Sequence, residues 1–133
     1  IFVLDACAML AYLRNESGAD TVVDVLSNPS NRCFAHSLNL CEVFYGIHRG
    51  SGLVDALAAL RVLARVGIVE QADMDAEFWQ FAGVIKSVHR RVSLADCCAL
   101  ALEQRLNGTL LTSDRHEFGF LSGKGICDIQ FIR

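Results

Sequence analysis

The sequence predicts a three-layer α/β/α domain on a central, mainly parallel sheet, and three observations carry that expectation. Short apolar runs alternate along the chain with longer stretches of helical periodicity, as they do in parallel α/β folds. The helical stretches are numerous enough that they must cover both faces of such a sheet. At 133 residues, with no linker, repeat or low-complexity segment, the chain is expected to form one domain over 1–133 with a core of its own.

The elements follow in order. "IFVLD" (1–5) reads as a buried strand ending on a carboxylate. Residues 7–15 and 18–28 read as helices broken near Ser17–Gly18, and "SNPSN", around the only proline, Pro29, reads as a turn. "RCFAH" (32–36) is a second strand. Residues 38–49 and 53–66 are helices separated at Gly50–Gly52, and "GIVEQ" (67–71) is a short third strand. Helices are expected over 74–90 and 94–106. Strands close the chain at "TLLTSD" (109–114) and "CDIQFI" (127–132).

Composition excludes several classes. Hydrophobic residues make up 53% and the formal net charge is −3, so the chain lacks the overall basic balance common in nucleic-acid binders, and any such role must use local patches. The six cysteines form no C-x-x-C pair and no zinc-like spacing with histidine. Most sit in apolar stretches as small core residues, as expected of reduced thiols in a cytoplasmic protein. The apolar start is interrupted by Asp5 and no basic segment precedes it. No run approaches the roughly 20 apolar residues of a membrane span, so a soluble protein with no membrane partner is expected.

Four acids stand out. Asp5 ends the first strand and suits a helix N-cap as well as a ligand. Asp114 ends a later strand and begins an Asp-x-x-Glu pattern with Glu117, which resembles a capping box. Asp96, in Ser93-x-x-Asp96, starts a helix that is apolar on nearly every face, so its carboxylate needs backbone N–H groups, a cation or a metal. Glu42 lies off the stripe of Leu40, Val43, Phe44 and Ile47, on the side shared with Asn39, Gly46 and Arg49. Parallel sheets place ligands at the carboxyl ends of their strands, where Asp5 and Asp114 should meet. Unit charges about 4 Å apart repel by about 4 kcal/mol at an effective dielectric of about 20. A hard divalent cation relieves this, and oxygen ligands suit Mg²⁺ or Mn²⁺ better than Zn²⁺.

"VLDACAML", "SLNLCEVFYGIHRG" and "SLADCCALALEQRLNGTLLTSDRHEF", in that order, closely resemble the PIN domain family, and within it the VapC-type toxin nucleases of VapBC toxin–antitoxin pairs. The resemblance extends over essentially the whole chain. It implies a PIN-like fold and Mg²⁺- or Mn²⁺-dependent endonucleolytic hydrolysis of RNA. The family's acidic quartet carries over to Asp5, Glu42, Asp96 and Asp114 as catalytic residues, with Asp5, Asp96 and Asp114 as metal ligands. Thr112 matches the threonine before the last Asp, and Glu117 an auxiliary acid. The resemblance also implies a cognate antitoxin partner and a homodimer. Cys7 departs from the pattern, standing where the family often has a hydroxyl or amide. Ser113, Arg115 and His116 flank Asp114 as candidate substrate contacts. Arg61, Arg65, Lys86, His89, Arg90 and Arg91 are further candidates for RNA phosphates.

Rivals fit less well. A haloacid dehalogenase-like phosphatase needs a second Asp where Cys7 stands, and a receiver domain needs paired acids near the first strand and a late lysine. A non-catalytic PIN-like domain binding RNA or protein is the alternative that retains the fold.

Overall fold

In the computed structural model, which describes residues 1–119, 121, 125 and 127–133, five strands form one sheet. β1 is Phe2–Leu4, β2 Cys33–His36, β3 Ile68–Gln71, β4 Thr109–Thr112 and β5 Ile129–Phe131. Their spatial order is β3-β2-β1-β4-β5 and every neighbouring pair is parallel. The expected sheet was mainly parallel; the observed one is wholly so.

The helices are α1 Ala6–Arg14, α2 Ala19–Ser27, α3 Ser37–Ser51, α4 Leu53–Arg65, α5 Ala76–Val88, α6 Leu94–Leu106 and α7 Arg115–Phe118. Local chemistry sets the ends. Asp5, Asp75 and Ser93 accept first-turn N–H groups of α1, α5 and α6, which satisfies donors with no partner inside the helix. Asn15 and Asn107 end α1 and α6 in the left-handed conformation.

Side chains alternate across the sheet. Val3, Phe34 and Leu110 pack with α5 and α6 on one face. Leu4, Ala35 and Leu111 pack with α1, α2 and residues of α3 and α4 on the other. The result is the expected three layers, with α6 buried from Cys97 through Glu103. Gly18 (φ 91°) lets the α1–α2 junction approach the last strand, since a Cβ there would lie 2.8 Å from the carbonyl oxygen of Ile132. All six cysteines are free, and no helix among the described residues is long and apolar enough to cross a membrane.

Most elements begin or end one or two residues from the expected bounds, and two differences bear on the site. The strand expected over 109–114 stops at Thr112, because the Asp114 N–H turns back to Thr112 Oγ1 (2.9 Å) and leaves the sheet. The one-turn α7 was not among the expected helices, although the Asp-x-x-Glu pattern marked a possible helix start: four residues are too few to show helical periodicity.

The strand order also fixes where a site belongs. From β1 the chain adds β2 and β3 on one side, then crosses to add β4 and β5 on the other. The reversal lies between β1 and β4. In open parallel sheets, ligands bind outside the strand ends at such a switch point.

Candidate active site

Asp5 and Asp114 follow the two strands that flank the reversal. Asp5 is 1% exposed. Its backbone N–H continues the ladder to the Leu111 carbonyl (3.3 Å). Oδ1 accepts the Ala8 N–H at 2.7 Å, and Oδ2 accepts a short hydrogen bond from the Thr112 hydroxyl. The cap and the site are thus one residue. Burial pushes the Asp5 carboxyl up to about 7, against the lowering effect of these hydrogen bonds, and the charges of Asp114 and Glu42 push the same way.

Thr112, fully buried at the end of β4, bridges two acids: it donates to Asp5 and accepts the Asp114 N–H. Asp114 caps α7 through the Glu117 N–H (2.8 Å). Glu117 does not reach back to close a capping box. Its Oε2 instead accepts the Ser93 N–H (2.8 Å), which joins α7 to the start of α6.

Ser93 also organises Asp96. Its Oγ accepts the Asp96 N–H (3.0 Å) and donates to Asp96 Oδ2 (2.7 Å). Burial, and the Glu117 carboxyl within hydrogen-bonding reach, raise the Asp96 carboxyl to about 8 despite Ser93, with the charge of Asp5 adding to the effect. Glu42 is half-buried on α3 and is raised by burial and by Glu117, with Tyr45 opposing. These interactions connect Asp5, Glu42, Asp96, Asp114 and Glu117 as one electrostatic cluster.

Cys7 stands at its edge. The residue is exposed, yet partial desolvation of its sulfur and the charges of Asp5, Asp96 and Asp114 push the thiol up to about 12, with Ser113 within hydrogen-bonding reach. It is therefore a neutral thiol, neither nucleophile nor ligand in that form.

Other candidates stand apart. Arg115 donates to the Arg133 carbonyl (2.8 Å) and lies over the Phe131 ring (4.4 Å), so it faces the last strand. His116 is exposed on α7. Lys86 closes the end of α5 on the carbonyls of Arg90 (2.9 Å) and Val92 (2.6 Å). Arg61 and Arg65 are exposed on α4, and Arg90 and Arg91 are exposed in the segment leading into Ser93. By its spacing in the sequence Ser93 is only a cap at Asp96; its tie to Glu117 depends on a partner 24 residues along the chain.

The donor set is all oxygen, crowded and partly desolvated, which fits a hard divalent cation. Among the described residues no three of His, Cys, Asp or Glu stand as a ready-made metal site. Asp5, Asp96 and Asp114 are instead each directed by a cap or hydroxyl partner.

Comparison with solved structures gives the same fold. A chain of a toxin–antitoxin complex from Klebsiella pneumoniae aligns with a TM-score of 0.74 at 12% identity, covering 100% of this chain and 98% of that one. A chain of Rickettsia felis VapBC2, bound to a promoter DNA fragment, gives 0.73 at 15%, covering 98% and 97%. Mycobacterium tuberculosis VapC20, a toxin that cleaves the sarcin–ricin loop, gives 0.72 at 14%, covering 92% and 95%. No curated protein matches the sequence. The family model of the PIN domain matches residues 2–120, most of the chain and all five cluster acids, and the chain belongs to the PIN domain family.

Proposed function

We propose that this chain is a Mg²⁺- or Mn²⁺-dependent endoribonuclease, the VapC-type toxin of a type II toxin–antitoxin pair. The observation that carries the reading is the gathering of Asp5, Asp96 and Asp114, with Glu42 and Glu117, at the reversal of a parallel sheet. Two of these acids hold protons near neutral pH because they are buried and close to like charge, an arrangement that a divalent cation relieves. Solved structures of similar fold include a toxin that cleaves the sarcin–ricin loop.

Asp5, Asp96 and Asp114 would hold the cation, and Glu42 would orient the attacking water or hold a second cation. The cation, when bound, lowers the pKa of water and stabilises charge on the phosphate. Thr112 fixes the rotamer of Asp5, and Ser93 that of Asp96. Asp96, whose carboxyl burial and the nearby Glu117 raise, would give up its proton to act as a ligand. Attack in line with the leaving oxygen gives 5′-phosphate and 3′-hydroxyl ends. Arg90 and Arg91, next to the start of α6, are the basic residues best situated to meet the RNA backbone. An antitoxin, a second copy of the chain and a cytoplasmic setting complete the proposal.

The lack of a ready-made metal site among the described residues gives the non-catalytic alternative its one supporting observation. Cleavage of RNA by the purified chain in Mn²⁺ separates the two. Asp5→Asn and Asp96→Asn should each lower the rate by about 100-fold or more, and EDTA should abolish cleavage. Equal rates in wild type and variants would sink the mechanism, and activity surviving EDTA would sink the metal.

A further inference from the structure

Asn39 has no part in the site as described, yet it is 0% exposed and, among the described residues, neither its Nδ2 nor its Oδ1 has a hydrogen-bond partner. A buried primary amide with all its bonds unmade is costly, and native proteins seldom keep one without a use. Its position supplies the use. Asn39 lies in the first turn of α3, directly after β2 ends at His36. On the helix it falls between Leu38, which packs with the α5–α6 layer, and Leu40 and Val43, which pack with the α1–α2 layer. That places it at the carboxyl edge of the sheet, where the two cores part. Glu42 is three residues on, along the same side of the helix, and its charge is felt at Asp5. α3 packs against both α1 and α6, the helices that begin at Asp5 and beside Asp96.

We infer that Asn39 is a positioning residue of the acidic site, its amide supplying hydrogen bonds to the carboxylates and hydration shell that assemble when a divalent cation binds. This rests on the metal-dependent reading above. An amide suits the place better than either alternative, a further acid or an apolar side chain. A further acid would add repulsion and an apolar group would offer no bonds, whereas Nδ2 donates to a carboxylate and Oδ1 accepts from water without adding charge. Hydrogen-bonding partners behind metal ligands commonly control affinity in this way.

The test is Mn²⁺ affinity by calorimetry, with the paramagnetic resonance spectrum of the bound ion and the thermal stability of the metal-free chain, for wild type, Asn39→Leu, Asn39→Ala and Asn39→Ser. Asn39→Leu should fold at least as stably as wild type without metal, yet bind Mn²⁺ roughly 10- to 100-fold more weakly with an altered spectrum. Ala and Ser leave nearly the same space, so recovery of part of the affinity by Ser over Ala isolates the hydrogen bond from the packing, even if the Leu variant does not fold. Wild-type affinity and spectrum in the variants would overturn the role of Asn39 alone. A wild-type chain that binds no Mn²⁺ would overturn the metal-dependent reading, and this inference with it.

Discussion

Thr112 shows how one hydroxyl holds a repulsive site together. It donates to Asp5 and accepts from the Asp114 backbone at the same time, so Thr112→Val strips a partner from two groups at once. The variant should lose about 1–3 kcal/mol in urea unfolding, and the Asp5 carboxyl should titrate above its present value of about 7 when followed by carbon NMR. The raised acids also set the pH response. Asp5 and Asp96 titrate near 7 and 8 in the folded chain against 3.8 ordinarily. Between about pH 4 and 8 the folded state therefore holds protons that the unfolded chain has released. Their contribution to stability is full below the unfolded value and is lost as pH rises through 7 and 8. Without metal, melting temperature should fall from about pH 5.5 to about pH 8.5, and saturating Mn²⁺ should restore it at the upper end. A melting temperature that rises across this range without metal would contradict the account.

Among elements, the junction of α6 and α7 matters most. Ser93 caps α6, donates to Asp96 and gives its N–H to Glu117 on α7. Ser93→Ala should cost about 1 kcal/mol for the missing cap. It should also free the Asp96 side chain, raising its pKa further and weakening Mn²⁺ binding; unfolding and calorimetry on the same sample check both. The S-x-x-D pattern made the cap legible. Its second use was hidden, because Glu117 is 24 residues away and no local pattern reports a partner at that distance. The same limit explains the D-x-x-E pattern: Asp114 does cap a helix, but the Glu117 side chain bonds elsewhere. A pillar in which Arg105 pairs with Asp73 and Asp75 and lies over Phe78, itself stacked on His36, likewise had no local signature.

For the whole molecule, the proposed function poses the problem of bringing a polyanion to an acidic cluster on a chain of net charge −3. Arg90 and Arg91 are part of the proposed answer, because their segment leads into Ser93 at the cluster. Replacing both with Glu should weaken RNA binding and flatten its dependence on salt, by about one unit of log–log slope for each phosphate no longer neutralised. The same change on α4, at Arg61 and Arg65, should matter less. Equal weakening by both pairs of substitutions, measured by fluorescence anisotropy across a salt series, would move the RNA path onto α4.

The sequence by itself determined the five strands, six of the seven helices among the described residues, and the acids that the fold gathers into one cluster. Buried runs, helical periodicity and caps are properties of neighbouring residues. Only the tertiary structure decided the strand order that puts the reversal between β1 and β4, the protonation of Asp5 and Asp96, the tie from Glu117 to Ser93 and the complete burial of Asn39. Those depend on which distant segments share a low-dielectric space. Cys7 makes the difference plain. Its letter marked a departure from the family pattern, and its surroundings make it a neutral thiol held up to about 12 beside Asp5, Asp96 and Asp114.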